Sequence, residues 1–83
     1  MKYHNHGKFI DDYNKSDLDV SIDYLLEWIA VLSENVRVGE NFHAHGYSND
    51  ENCEEIMHTF TFEKRIIDNE KNLVYLGTSS KKV

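Results

Sequence analysis

The chain has 83 residues, a formal net charge of −6, one cysteine and no proline. This length predicts a single domain over residues 1–83, and the lone cysteine excludes an internal disulfide. The acidic balance argues against direct nucleic-acid binding. The sequence shows neither a signal-peptide pattern nor an apolar run of membrane-spanning length, so we expect a cytoplasmic protein without membrane contact.

Most of the negative charge lies in the middle of the chain. Residues 16–63 contain eleven acidic residues and one basic residue, whereas residues 64–83 contain five basic and two acidic residues. A solvated acidic surface that keeps a small protein in solution is one explanation. The alternative is a surface that binds a basic partner, and the sequence leaves both open.

In chain order, the first strongly predicted element is a long helix. Residues 3–14 have weak periodicity and predict only an edge strand or a loop. Ser16, with Asp19 three residues later, resembles a capping box, and the helix is expected over residues 17–35. Its apolar residues recur at spacings of three and four. They are Leu18, Ile22, Leu25, Ile29 and Leu32.

Four further apolar residues extend this stripe over more than half of the helix circumference: Tyr24, Leu26, Trp28 and Val31. The helix is therefore expected to be packed on several sides, by its own sheet or by a second chain. Burial within one chain is the simpler arrangement, so a monomer is favoured. A dimer with Trp28 or Tyr24 at the contact is the alternative.

The exposed remainder of this helix is acidic. Asp19, Asp23 and Glu27 follow one another at i,i+4 spacing, and Glu34 lies near the same azimuth. Like charges at this spacing destabilise a helix slightly, and no Lys or Arg of the helix relieves them. The row is either a tolerated cost or an acidic ridge that binds a basic partner.

The next segment predicts a short strand and a second, short helix. Apolar residues support a strand around residues 42–47. Ser48 and Glu51 then form a second capping-box pattern, which predicts a helix from this point to about Met57.

The C-terminal third predicts a hairpin. Residues 58–63 alternate as a half-buried strand does, residues 68–72 predict a polar turn, and residues 73–76 return as the partner strand. Residues 78–83 are expected to form a frayed basic tail. The predicted fold class is α+β, with one long helix, one short helix and a small antiparallel sheet that includes the C-terminal hairpin.

The histidines and the single cysteine form a pattern that predicts a metal site. His43 and His45 are two residues apart, which places both imidazoles on one face of a strand. A loop and a short helix would then fold Cys53 and His58 back over that face. Zinc accepts one thiolate and three imidazoles in tetrahedral geometry, so we expect one structural zinc ion held by these four residues.

Two points about this site stay open. A similar pattern occurs near the N-terminus, where His4 or His6 would either replace one ligand or lie exposed. The alternative to a metal site is that Cys53 is a small core residue and the histidines are surface groups. A structural zinc contributes on the order of 10 kcal/mol of apparent binding energy, enough to decide whether a small domain folds.

A catalytic function is not expected. The four glycines do not form a phosphate-binding loop, and no orienting residue or oxyanion hole is evident beside Cys53 and His58. A small zinc hydrolase is the less favoured interpretation, because such enzymes need more chain to build a substrate pocket.

In overall character the chain resembles phage-encoded anti-CRISPR proteins, since it is very small, acidic, poor in cysteine and rich in Asn, Asp, Lys and Ile. The cluster of His43, His45, Cys53 and His58 is similar to what a metal-stapled member would need. The resemblance implies a protein that binds an RNA-guided CRISPR nuclease, with the type II effector favoured, and blocks nucleic-acid loading or cleavage. An acidic face would occupy a positively charged nucleic-acid channel. The residues that would form it are Asp19, Asp23, Glu27, Glu34, Asp50, Glu51, Glu54 and Glu55.

The alternative is an immunity protein or antitoxin whose acidic face covers a nuclease toxin. Such a protein would also bind a basic partner through its acidic face, so the sequence does not distinguish it from an anti-CRISPR protein. A toxin gene next to this gene would favour the alternative.

Overall fold

The computed structural model describes residues 2–83, which form two helices and four strands. The strands build one sheet in the order β1-β4-β3-β2, in which β1 is parallel to β4 and the other neighbours are antiparallel. The fold class is therefore α+β with a mixed sheet. The bounds are β1 Lys2–His4, α1 His6–Ser16, α2 Ile22–Glu34, β2 Asn41–Asn49, β3 Glu55–Ile67 and β4 Glu70–Lys82.

Both helices pack on one face of this sheet, and aromatic side chains form the centre of the core. Strand alternation turns Phe42, Phe60, Phe62 and Tyr75 towards the helices, and Phe9 of α1 lies among them. The ring of Phe9 lies 5.5, 5.4 and 5.3 Å from the rings of Phe60, Phe62 and Tyr75, respectively. Edge-to-face pairs of this kind each contribute about 0.5–1.5 kcal/mol beyond the burial of their area.

Helix α2 packs next to β2, with Leu25 and Ile29 buried against the sheet. Its C-terminal end is held by Lys64 of β3, a buried residue whose Nζ donates to the carbonyls of Ser33 and Val36 at 2.8 and 3.0 Å. A cation at this end of a helix also interacts favourably with the helix dipole. Lys64 therefore fixes where α2 ends above the sheet.

The predicted long helix over residues 17–35 is wrong. Helix α1 ends at Ser16, and Asp17 adopts a left-handed φ of 52° that turns the chain into a loop. The cap of α2 is Ser21, whose hydroxyl accepts the N–H of Tyr24 at 3.2 Å, whereas the Ser16 hydroxyl donates back into α1. The two helices have 11 and 13 residues. Within residues 2–83, neither has the length and apolar character needed to cross a lipid bilayer.

The predicted second helix is also wrong. The carboxylate of Asp50 accepts the N–H groups of Asn52 and Glu54, both at 2.9 Å, and closes a turn between β2 and β3. Cys53 has a left-handed φ of 60° in this turn, and β3 begins at Glu55. Asp and Asn favour such side-chain-closed turns as strongly as they favour helix caps, which explains the wrong prediction.

The prediction of a small antiparallel sheet is wrong as well. The sheet is mixed because β1 lies parallel to β4, and β3 and β4 have 13 residues each. Residues 78–83 were expected to form a frayed tail, but β4 continues to Lys82, which lies opposite Ile56. The N–H of Val83 then donates to the carbonyl of Glu55 at 3.0 Å. This part of β4 is polar and therefore lacks the apolar alternation by which a strand is recognised.

Candidate interaction surface

The four predicted zinc ligands lie at three separate places. His43 and His45 project from β2 on the face of the sheet away from the helices, as their two-residue spacing predicts. His58 projects from the opposite face of β3 and is buried, because it is paired in register with Gly46 and not with either histidine. Cys53 is exposed in the β2–β3 turn. Because successive side chains of a strand point to opposite faces of the sheet, this register separates the imidazole of His58 from those of His43 and His45.

The prediction of a structural zinc is wrong for this reason. Among residues 2–83, no group of three or more His, Cys, Asp and Glu side chains is placed to hold a metal ion. His4 Nε2 lies 2.9 Å from Asn72 Oδ1, and His6 lies at the start of α1. His43 and His45 each have a threonine hydroxyl of β3 within hydrogen-bond distance of Nδ1, at 2.9 and 3.1 Å.

His58 instead links three strands. Its Nε2 lies 2.7 Å from Ser48 Oγ on β2, and its Nδ1 lies 2.7 Å from Ser80 Oγ on β4. Burial lowers the pKa of His58, because the protonated ring loses hydration there. A neutral ring satisfies both hydroxyls, since one nitrogen donates and the other accepts. The residue that the sequence assigned to a metal site is therefore a structural hydrogen-bond centre.

The predicted partner-binding acids divide into two groups, of which the first lies on and before α2. Asp23, Glu27 and Glu34 project from the helix and are exposed, and Asp19 is exposed in the preceding loop. In the part of the chain that the structure describes, none of these four carboxylates has a Lys, Arg or His partner. Their charge is therefore available to a binding partner.

The second group lies at the β2–β3 turn and is partly engaged within the chain. Glu51 and Glu55 are exposed, but Lys82 Nζ lies 3.5 Å from the carboxylate of Asp50 and 3.1 Å from that of Glu54. Hydrogen bonds from backbone N–H groups, chiefly that of Glu54, lower the pKa of Asp50. Asp50 thus has a clear role in shaping the turn, and this group is a weaker candidate for binding than the first.

The structure leaves exposed an apolar stripe on α2, whose residues the sequence placed beyond the first buried face without deciding what covers them. Tyr24, Trp28 and Val31 lie at positions i, i+4 and i+7, and they are 61%, 47% and 49% exposed. We call these three residues the α2 stripe. The sequence indicated that the helix is packed on several sides, but the sheet covers only the side that holds Leu25 and Ile29. The excess of apolar residues over what one buried face needs is the sequence signal of the stripe, and it led to Trp28 or Tyr24 as the contact of the alternative dimer.

A groove between α2 and β2 adjoins the α2 stripe. The groove has a volume of about 320 Å³, and the residues that line it include Tyr24 and Trp28 of α2, Tyr47 of β2 and Asp19 of the preceding loop. On the other side of the stripe, Glu27 borders a shallow hollow formed with Tyr24, Trp28 and Val31. Aromatic and acidic residues are therefore adjacent at the groove and at the hollow.

Two contacts hold the loop that closes one end of this groove. The N–H of Asp19 donates to the carbonyl of Tyr47 at 3.2 Å, which ties the loop to the edge of β2. Leu18 packs directly on Gly46, where an added Cβ would lie 2.6 Å from Leu18 Cδ1. A larger residue at position 46 would therefore require the side chain of Leu18 to move.

The α2 stripe, the groove and the acidic residues beside them form one continuous candidate interaction surface. Its components are apolar anchors, a concave site and unpaired charge of a single sign. Comparison of the chain with protein-family models, with curated proteins and with solved structures found no match.

Proposed function

We propose that this chain is a binding protein that uses the candidate interaction surface to cover a basic surface of another protein. The observation that carries the proposal is the α2 stripe, in which three large apolar side chains are exposed at helical spacing. Acidic residues without an ion pair in the described part of the chain border it. Aromatic anchors supply most of the affinity of an interface, and charges around them select and steer the partner.

Trp28 is the expected anchor of the interface, because it contributes to both the groove and the stripe. Truncation of a central Trp costs about 2 kcal/mol or more in binding free energy, which corresponds to about a thirtyfold change in Kd. Asp23 and Glu27 act mainly on the association rate and on its salt dependence.

The partner that we propose is a nucleic-acid-binding protein of the bacterial cytoplasm, with a type II RNA-guided CRISPR nuclease as the first candidate. The channel of such a nuclease presents positive charge to a nucleic-acid backbone, so an acidic face that occupies it would block loading or cleavage. On this proposal the chain is an inhibitor of the phage type, neither an enzyme nor a nucleic-acid binder. A nuclease toxin presents similar charge and is the second candidate.

The test is a binding assay against a panel of CRISPR effector nucleases and nuclease toxins at low and high salt. The variant Asp23→Lys/Glu27→Lys is compared with the control Asp11→Lys/Glu70→Lys, whose positions are exposed and lie outside the surface. Each pair of substitutions changes the net charge from −6 to −2, because two acids become two lysines. We expect the α2 variant to weaken binding by about tenfold or more and to flatten its salt dependence, and the control to change it much less.

Equal weakening by both variants would show that only net charge matters, and unchanged affinity in both would contradict the proposed surface. Binding to a toxin but to no CRISPR effector would support the surface and replace the first candidate partner by the second. Binding to neither class would contradict the proposed function.

A further inference from the structure

Strand β2 leaves one backbone edge of the sheet open. It lies at the end of the strand order, and within residues 2–83 only β3 pairs with it. The N–H of Lys64 donates to the carbonyl of Glu40, which shows that even-numbered residues face β3 in this ladder. Alternate residues of an antiparallel pair direct their polar groups to opposite edges. Asn41, His43 and His45 therefore point their N–H and C=O groups away from the sheet.

A hydrogen bond at the end of β2 confirms the direction of this edge. Tyr47 is odd-numbered, like Asn41, His43 and His45. Its carbonyl accepts the N–H of Asp19 from outside the sheet. The loop before α2 thus already adds one strand-like bond to the edge. For the outward backbone groups of Asn41, His43 and His45, residues 2–83 supply no such partner.

The open edge adjoins the groove and the α2 stripe. His45 and Tyr47 line the groove from β2, and Tyr24 and Trp28 line it from α2. An extended segment paired with β2 would turn every second side chain towards Trp28. In strand addition of this kind, main-chain hydrogen bonds supply affinity and the adjacent pocket supplies specificity.

Charge decides which segment fits. Asp19 lines the groove and Glu27 lines the adjoining hollow, and neither has an ion pair within the described chain. A second copy with a net charge of −6 would bring like charges together, whereas a segment in which Lys or Arg alternates with apolar residues complements both features.

We propose that the open edge of β2 binds an extended, basic segment of the partner protein by strand addition, with an apolar side chain of that segment in the groove. This inference rests on the proposed function, because it specifies how the same surface holds its partner. The backbone edge and the α2 acids make separable contributions, so each is tested by its own perturbation.

The probe is the acetylated and amidated heptapeptide Lys-Val-Arg-Leu-Lys-Val-Arg, with two forms that carry backbone N-methyl groups on one or the other set of alternate residues. Binding is followed by the fluorescence of Trp28, the only tryptophan, and by hydrogen exchange at the amides of His43 and His45. The alternating side chains and the direction of the bound strand together determine which peptide edge faces β2. We expect one methylated form to bind about tenfold or more weakly, since it loses two or three hydrogen bonds of about 0.5–1.5 kcal/mol each, and the other form to bind normally.

Protection of the two amides by the unmodified peptide, together with the unequal effect of the two methylated forms, would support strand addition. Equal binding of both methylated forms, a fluorescence response without amide protection, or no binding of the unmodified peptide would overturn it. Protection that rises with the concentration of the peptide-free chain would assign the edge to a second copy and would also overturn it. In each of these cases the proposed function is judged separately, by the effect of Asp23→Lys/Glu27→Lys on the partner protein.

Discussion

The substitution Lys64→Met tests whether a buried cation holds α2 in place above the sheet. Only 6% of Lys64 is exposed, and its Nζ donates to the carbonyls of Ser33 and Val36 at 2.8 and 3.0 Å. Methionine keeps a long apolar side chain but has no group that donates to these carbonyls. The substitution therefore removes the hydrogen bonds and the charge with little change in packing volume.

The size of the effect follows from what each carbonyl retains. The carbonyl of Ser33 keeps the backbone N–H of Val36, so the larger loss falls on the carbonyl of Val36. The hydrogen bond to the carbonyl of Val36 is partly buried, and a fully buried carbonyl without its donor costs about 1–3 kcal/mol, whereas the lost charge at the helix end costs about 0.3–1 kcal/mol. Relief from the desolvation of the ammonium group offsets part of this. We expect a net loss of about 1–3 kcal/mol, or a Tm lower by about 4–24 °C for a domain of this size.

The assay is denaturant unfolding followed by the fluorescence of Trp28, with Lys71→Met as the matched control. Lys71 is an exposed lysine on β4, so its replacement is expected to change the free energy of unfolding by less than about 0.5 kcal/mol. If Lys64→Met is as mild as the control, the hydrogen bonds of Lys64 do not stabilise α2 and the reasoning is refuted.

Three further substitutions test the turns and the buried histidine. Cys53→Gly is expected to raise the free energy of unfolding by about 0.5–1 kcal/mol, because glycine adopts a φ of 60° without steric cost. A marked loss of stability would show instead that the thiol stabilises the fold. Asn69→Gly is expected to raise the Tm by a few degrees, since Asp68 and Asn69 both have positive φ, as a type I′ turn requires, and a lower Tm would contradict this turn. His58→Gln tests the pH dependence of stability. The folded-state pKa of His58 lies below the ordinary value of 6.5, so the unfolded chain takes up a proton at a higher pH than the folded chain does. Stability is therefore lost as the pH falls below 6.5. Denaturant titrations across this range should show a smaller loss in the variant, and identical losses would exclude His58 as the cause.

The sequence predicted those parts of the fold that carry a strong apolar period. The residues from Ile22 to Leu32 and the alternation over residues 58–63 lie in α2 and β3. Helix α1 was not predicted, because only Phe9 of its three buried residues is apolar. Another of them, Asp12, is buried through a contact distant in sequence, the hydroxyl of Tyr75 that donates to its carboxylate at 2.6 Å.

The prediction of a zinc site was wrong because the spacing of the ligands in the sequence does not give the register between β2 and β3. His43 and His45 share a face, as a two-residue spacing requires. The face on which His58 lies depends on the register between β2 and β3, which the turn closed by Asp50 sets. A shift of one residue in that register would bring His58 to the other face. Turn geometry therefore decided the outcome, and the sequence suggested a helix at that place.

The acidic residues of α2 and the apolar residues of the α2 stripe could both be located from helical spacing, but the exposure of the stripe could not. Whether Tyr24 and Trp28 are buried depends on how many layers pack around the helix, and residues 2–83 supply one sheet against one side of it. The sequence therefore identified the acidic and apolar residues of the candidate surface, and the structure added the exposure of the apolar residues and the groove.

The central claim is that the α2 stripe is buried against a basic partner. The most direct measurement is the Kd of Trp28→Ala for the panel protein that binds the unmodified chain, compared with Leu76→Ala. Trp28 and Leu76 are 47% and 46% exposed, so the two truncations remove similarly accessible apolar residues at different places. The account predicts a Kd about thirtyfold higher for Trp28→Ala and nearly unchanged for Leu76→Ala. An unchanged Kd for Trp28→Ala, or equal effects of both variants, would contradict it.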